Sequence, residues 1–483
     1  MHMTLKTPIG MRSLMLIKKP LAFTENYIDS INTGIQSLGP ERGLTRLQKY
    51  WLAFCITAIL VTNSVCWARF QRVAMGQYKI AALSWMFRKS NIAWNLLLQA
   101  SIVSILDRYG ITEGTLGIDD TDNKRSKSTK NIAHVHKIKD KTSGGYIMGQ
   151  SIVFLVLITS KITIPVGFAF HVPDPALRAW RKKDDELRKK KIPKAMRPPE
   201  PPRNPAYPTI PQIALSLINR FKQHHGQIRI RCIFADALYG TAEFVDGVGR
   251  IYKKAQVISQ IRSNQNVRFR KKILSVEEYF TKYPGVEQEI RIRGGEKVRV
   301  TIGSARLHVH AHGKKRFVIA LKYEGETEYR YIIASDLSWR TIDIVEAYTF
   351  RWLVEVFFQD WKGYEGWGQL TKHPGEEGSS RSLILSLMVD HCLFLHPDQL
   401  ALFENNLPAN TVGSLTAKIK VECLISTIEE IITSDEPTNQ FKKFAKQLLE
   451  HAAVLSPSKK HLVGKTIGNL APTPSLKYRN CAA

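Results

Sequence analysis

The chain has 483 residues, room for about three domains by the usual length prior, with a formal net charge of +28 and a sequence pI near 9.8. A cationic excess of that size suits a polyphosphate ligand without saying which nucleic acid it is. The amino terminus shows no long apolar core before a cleavage site and no lipidation motif, and the six cysteines (Cys55, Cys66, Cys232, Cys392, Cys423, Cys481) form no C-x-x-C pair. This argues against a secretory leader, a disulfide framework and a zinc site, and for reduced thiols in a cytosolic protein.

Residues 1–112 carry helical patterns such as RLQKYWLAFCITAILV, broken by Gly and Pro near residues 34–43, and are expected to form an all-α domain. A purely structural role is one reading of it; the resemblance described below implies contact with a DNA end as the other. Residues 51–70 are apolar enough to attract attention as a membrane span, but Asn63 and Ser64 interrupt them, so a buried helix is expected and no membrane partner. TLGIDDTDNK (115–124) then reads as an apolar run ending in Asp119, Asp120 and Asp122. After it comes a basic loop containing Lys124, Arg125, Lys127 and Lys130, read as phosphate-contacting or merely solvated. YIMGQSIVFLVLIT and ITIPVGFAFHV read as strands buried on both faces. Between 178 and 211 a charged helical arm passes into a Pro-rich connector, open to DNA contact or subunit contact.

IRIRCIFADALYG (228–240) alternates as a strand that delivers Asp236 at its carboxyl end. Residues 249–338 are strand-like: QVISQIR, VRVTIGSARLHVHA, RFVIALKYEG and TEYRYIIAS, separated by Gly-containing turns. His308, His310 and His312 are expected to alternate on one strand face, as a polar face rather than a zinc site. From Tyr348 to Lys362 the chain reads YTFRWLVEVFFQDWK. On a single helix Tyr348, Arg351, Glu355 and Lys362 share an arc about 60° wide, a polar stripe within an otherwise apolar circumference. A carboxylate flanked by two cations and a phenol suits a bound metal beside phosphates, whereas the bland alternative is a surface stripe with i,i+4 Arg–Glu support. One Glu rarely holds a divalent cation alone, and the two Asp-bearing segments supply companions. The tail from 401 to 483 carries amphipathic helices, suited to dimerisation or to capping the same monomer.

Tyr348, Arg351, Glu355 and Lys362 match without a gap the Tyr-x2-Arg-x3-Glu-x6-Lys signature of a subgroup of bacterial insertion-sequence DDE transposases, which the chain resembles over roughly residues 113–400. Ile118-Asp119-Asp120-Thr121 is similar to the first acidic motif of that family, with Asp120 as its catalytic residue. Asp236, Tyr239 and Gly240 are similar to the second. Strand alternation by itself does not choose Asp120, because Asp119 takes the other face from Asp120 and Asp122.

The resemblance implies an α/β fold: an RNase H-like core in two parts (113–248 and 339–400), interrupted by a β-rich insertion domain (249–338), with an α-helical amino-terminal domain and a helical carboxy-terminal region. It implies a DNA transposase that cuts and joins transposon ends on two Mg²⁺ ions, Mn²⁺ substituting, held by Asp120, Asp236 and Glu355. The partners implied are double-stranded DNA and a second copy of the chain, in the bacterial cytoplasm. Tyr348, Arg351 and Lys362 would hold phosphates. In the hairpin-forming subgroup an aromatic of the insertion stacks on a flipped base, and Tyr331 occupies the similar position. The alternatives are a nuclease of the same fold without strand transfer and a non-catalytic DNA-binding descendant.

Overall fold

The computed structural model describes residues 17, 19–125, 129–140, 144–368, 373–452, 470–472 and 478–480. The amino-terminal part is helical: α1 (Ala22–Leu38), α2 (Arg46–Thr62), α3 (Trp67–Val73), α4 (Ile80–Lys89) and α5 (Trp94–Arg108). A capping box of Thr45 and Gln48 starts α2, and its residues 51–61 are all buried. No single helix is long and apolar enough to cross a membrane, although α2 and α3, bent by 86°, pass that test together. The core around α2 is shared with Ile384, Leu385, Met388 and Val389 and with Leu415 and Ile419. The boundary drawn at residue 112 is therefore not a packing boundary. A buried polar chain makes the same link: the Tyr27 and Ser101 hydroxyls lie 2.7 Å apart, Ser101 lies 2.7 Å from His391 Nδ1, and His391 Nε2 is 3.0 Å from the Pro165 carbonyl.

Next come β1 (Glu113–Lys124), β2 (His136–Lys139), β3 (Tyr146–Ile158) and β4 (Thr163–His171). The arm follows as α6 (Pro175–Lys189), with no buried residue. Its connector folds back on it, Trp180 Nε1 donating to the Pro198 carbonyl at 2.8 Å and Arg197 gripping both oxygens of Asp184. The chain re-enters through α7 (Ile210–His224), β5 (Arg229–Ala235), α8 (Ala242–Ile251) and β6 (Gln256–Gln260). β1 is central, antiparallel to β3 and parallel to β5, and β6 pairs in parallel with β5. The apolar runs of β3 and β4 are antiparallel to each other. β3 is nonetheless buried on both faces, which is why its polar–apolar alternation is lost.

QVISQ, placed by sequence in the 249–338 insertion, is β6 and pairs with β5. Beyond it lie β7 (Asn266–Phe269), β8 (Lys272–Ser275), α9 (Val276–Lys282), β9 (Val286–Arg291), β10 (Lys297–Val309), β11 (Lys314–Tyr323) and β12 (Arg330–Ala334). β12 pairs antiparallel with β6, so the inserted strands extend the core sheet instead of forming a separate one. The order is β2-β3-β1-β5-β6-β12-β11-β10-β7-β8, with β4 on β3 and β9 on β10. The His308, His310 and His312 reading is corrected: β10 ends at Val309 and the residues 310–312 form a 3-10 turn. Arg316 Nε donates to His312 Nδ1, and His312 Nε2 donates to the Gly240 carbonyl at 3.2 Å.

The chain closes with α10 (Thr341–Thr349), α11 (Trp352–Tyr364), α12 (Gly375–Phe394), α13 (Pro397–Glu404), α14 (Val412–Ile432) and α15 (Pro437–Ala452). The single helix expected from Tyr348 to Lys362 is two helices. The amides of Phe350, Arg351, Leu353 and Val354 each bond the carbonyl three residues back, a 3-10 tightening that divides the stretch between Tyr348 and Glu355, although Tyr348 still acts on Arg351. At the far end of α11, Glu365 is fully buried against Asp390 of α12, and neither Glu365 oxygen has a hydrogen-bond partner by geometry. Desolvation holds both carboxyls well above the ordinary carboxylate range; Asp390 and Asp360 add to the rise at Glu365, while at Asp390 the Asp360 charge adds to it and the interaction with Glu365 opposes it. Folded carboxyls that keep their protons while unfolded ones lose them make the fold less stable as pH rises out of the ordinary carboxylate range. Glu365→Gln and Asp390→Asn are thus expected to raise thermal stability at pH 8 by roughly 1–3 kcal/mol, with a smaller gain at pH 5. Melting curves giving the same change at both pH values would contradict the protonated pair.

Candidate active site

The site begins at a glycine. A Cβ on Gly117 of β1 would lie 2.6 Å from Val354 Cγ2 and 2.8 Å from the Phe234 ring, so only glycine lets α11 seat this closely on β1 beside β5. Side chains alternate along a strand, so Asp119 shares that face and points toward α11. The motif points to Asp120, whereas the side chain on the face toward α11 is that of Asp119. The Arg351 guanidinium lies between Asp119 and Glu355, with Nη1 at 3.4 Å from Asp119 Oδ2 and 3.4 Å from Glu355 Oε1. Asp120 belongs to the opposite face, where the Tyr239 hydroxyl donates to it at 3.3 Å.

Asp236 sits at the end of β5, where the chain enters a 3-10 turn over Ala237–Tyr239. β1 and β5 run in parallel with Ile118 opposite Ala235, so Asp119 and Asp236 leave adjacent strand positions in the same direction. Ser259 Oγ donates to the Asp236 carbonyl at 2.9 Å. Gly240 follows for a steric reason: a Cβ there would lie 2.2 Å from the Gln260 carbonyl oxygen. Asp236, Asp119 and Glu355 all act electrostatically on Arg351. Three carboxylates from β1, β5 and α11 thus face one guanidinium.

Burial pushes the Asp119 carboxyl up to about 7; the Asp120 amide and Arg351 oppose that rise, and the Asp120 and Glu355 charges add to it. The cluster is short of positive charge: among the described residues Arg351 is the cation in ion-pair contact with it, and Lys362 acts on Glu355 from farther away. Among the described residues no three Asp, Glu, His or Cys side chains are already gathered closely enough to ring an ion. The donors are nonetheless all carboxylate oxygens, the type that hard divalent cations take, and they converge on a cation that is already there. By donor chemistry Asp119, Asp236 and Glu355 fit a divalent metal, with Arg351 giving way.

The remaining residues of the expected site divide. Tyr348 is buried, and desolvation pushes its hydroxyl up to about 12. Lys362 reaches back across β1 to Thr121 Oγ1 and donates to the Asp122 carbonyl at 3.1 Å. Lys124 pairs with Asp140 at 3.0 Å, while Lys130 is exposed in a turn. Lys127 lies outside the described residues. Arg125, expected as a phosphate contact, is buried: Nε donates to Gln150 Oε1 at 2.6 Å and the guanidinium covers the Trp367 ring at 4.4 Å. It is a packing residue. Tyr331 is corrected likewise, because its ring is buried in the core and stacks on Phe280 at 6.1 Å and 28°, so the stack it makes is with a neighbouring side chain and not a base. Asp119 is the residue that sequence reasoning passed over, and the available signal was Gly117 two positions earlier, which marks the close-packed face of the strand.

Residues 58–279 match the family model described as DDE superfamily endonuclease. The match covers less than half of the chain and includes Asp119, Asp120 and Asp236, but not Glu355. A cryo-EM structure of a piggyBac transposase synaptic complex with hairpin DNA is similar over 92% of this chain and 87% of that chain, at 10% sequence identity and a TM-score of 0.41, a likeness too loose to carry an argument. No curated protein matches. The region from α2 to α9 is therefore similar to the DDE superfamily endonucleases.

Proposed function

We propose that this chain is a DDE-type transposase, a metal-dependent DNA endonuclease and strand transferase acting on the ends of a mobile element. The observation that carries the reading is the convergence of Asp119, Asp236 and Glu355 on Arg351 from β1, the end of β5 and α11. The match to the DDE superfamily endonuclease model over two of the three carboxylate-bearing segments supports it, as does the +28 charge. Asp119, Asp236 and Glu355 would hold the divalent cations, Mg²⁺ in the first instance. Bound there, such ions lower the pKa of an attacking water or DNA 3′-hydroxyl and stabilise the leaving oxygen.

This chain's own residues do the rest. With a cation held by Glu355 and Asp119, the planar Arg351 guanidinium beside them would be available to grip a phosphate bidentately. Lys362, anchored on β1, offers a point charge one strand position further along. Tyr239 holds Asp120 on the opposite face, away from Arg351. Two active sites would meet in a homodimer when two ends are paired. An endonuclease that cuts without joining would use the same carboxylates, and product analysis on labelled target DNA separates the two.

Asp119→Asn and Glu355→Gln are expected to reduce Mg²⁺- or Mn²⁺-dependent nicking at least about a thousandfold, several kcal/mol of barrier, while leaving DNA affinity within about 1 kcal/mol. Asp120→Asn should retain most of the activity. Gel shifts and nicking of labelled DNA read the two effects apart, and an inactive Asp120→Asn beside an active Asp119→Asn would reverse the assignment.

Arg351→Ala and Lys362→Ala should each lower the salt slope of DNA binding by roughly one unit. An unchanged slope in both would mean that the two cations serve only the carboxylates and β1.

A further inference from the structure

A cationic surface away from the carboxylate cluster lies at the tip of the inserted strands. β7 and β8 are joined by a two-residue turn, with Phe269 opposite Lys272. The two turn residues are Arg270 at φ 46 and Lys271 at φ 68, both in the left-handed region. A hairpin of this kind takes Asn-Gly or Asp-Gly at least cost. Long cationic side chains in left-handed backbone are a local strain, and strain of this kind concentrates where a site needs it.

The turn overhangs a concavity of about 500 Å³ lined by Arg268, Phe269, Arg270, Lys271, Arg306, Leu307, His308 and Lys315, with no carboxylate among them. The register sets it: His308 of β10 lies opposite Arg268 of β7 and opposite Lys315 of β11. Arg268, Arg270, Lys271 and Lys315 are exposed, and among the described residues none of the four is in an ion pair. On the neighbouring strands several exposed cations are paired, Lys297 with Glu289, Arg299 with Glu324 and Arg330 with Glu326. The concavity is thus a group of cations with no carboxylate in its lining.

We infer that the β7–β8 turn and the concavity beneath it grip the phosphodiester backbone of duplex DNA. Duplex is favoured over a single strand because the aromatic at the rim, Phe269, is partly covered by the Arg270 guanidinium at 5.1 Å; a single-strand site presents bare rings for bases to stack on. Spaced cations without a stacking platform suit phosphates, which position a duplex without reading its sequence. The inference deepens the transposase reading by assigning a place where DNA is held, and it rests on that reading for its choice of partner.

The test replaces the turn by the pair that the backbone prefers. A variant combining R270N with K271G keeps the hairpin and should melt at the same or a higher temperature than wild type, so lost binding is not lost folding. Binding of a fluorescein-labelled 30-base-pair duplex of random sequence is measured in EDTA across salt, independently of cleavage. The expected result is affinity lower by about tenfold or more near 0.1 M salt, and a salt slope smaller by roughly two units. Lys315→Ala should add to the loss. Unchanged affinity and slope overturn the inference, as does a wild-type preference for the single strand of the same length. Failure of Glu355→Gln to stop nicking would overturn the catalytic reading and leave this result standing.

Discussion

Everything at the candidate site depends on how closely α11 approaches β1. That distance is set where Gly117 faces Val354, with the Phe234 ring of β5 beside them. A larger residue would have to move the helix, and Arg351 and Glu355 would move with it. Phe357, Phe358 and Trp361 fix the seat from the other side, each packing edge-on against Phe154 of β3 at ring distances of 4.9–5.6 Å. A rigid aromatic bed under a helix is a sound way to hold one carboxylate against two others that repel it, since each aromatic pair adds to the area it buries.

The second constraint is electrostatic. Placing Asp119, Asp236 and Glu355 together costs free energy that the structure offsets with a single guanidinium, and burial leaves the Asp119 carboxyl near 7. Such perturbed carboxyls cluster at functional sites. The buried Glu365–Asp390 pair shows the other outcome, in which repulsion is relieved by holding protons and not by a cation. The two lie at opposite ends of α11. One end is open to a cation and the other sealed in the core with Trp367 and Leu387.

The helical amino-terminal part is tied to this arrangement through α12. Residues of α1, α2, α4 and α5 share a core with Ile384, Leu385, Met388 and Val389, and Tyr27, Ser101 and His391 stitch α1, α5 and α12 to β4. Buried polar groups that are all hydrogen-bonded fix geometry more sharply than apolar contact alone. α12 in turn packs on α11. The amino-terminal helices therefore back the helix that carries Glu355.

The sequence alone determined most element types, the two acidic strands, the acidic helix and a cationic excess suited to a polyanion, because these rest on local quantities: alternation, helical spacing and net charge. TLGID, RIRCIFAD and WLVEVFFQDWK are legible as a strand, a strand and a helix in any context. What the tertiary structure decided depends on which face of each element is covered. Asp119 rather than Asp120 follows from the side of β1 on which α11 lies, and strand alternation is silent on which side is which. Tyr348 came to lie on a separate helix because a 3-10 step divides the stretch, while it still acts on Arg351. Arg125 and Tyr331 left the expected DNA surface because Trp367 and Phe280 bury them. QVISQ joined the core sheet because β5 is its neighbour, a partner 24 residues earlier whose choice no local pattern records.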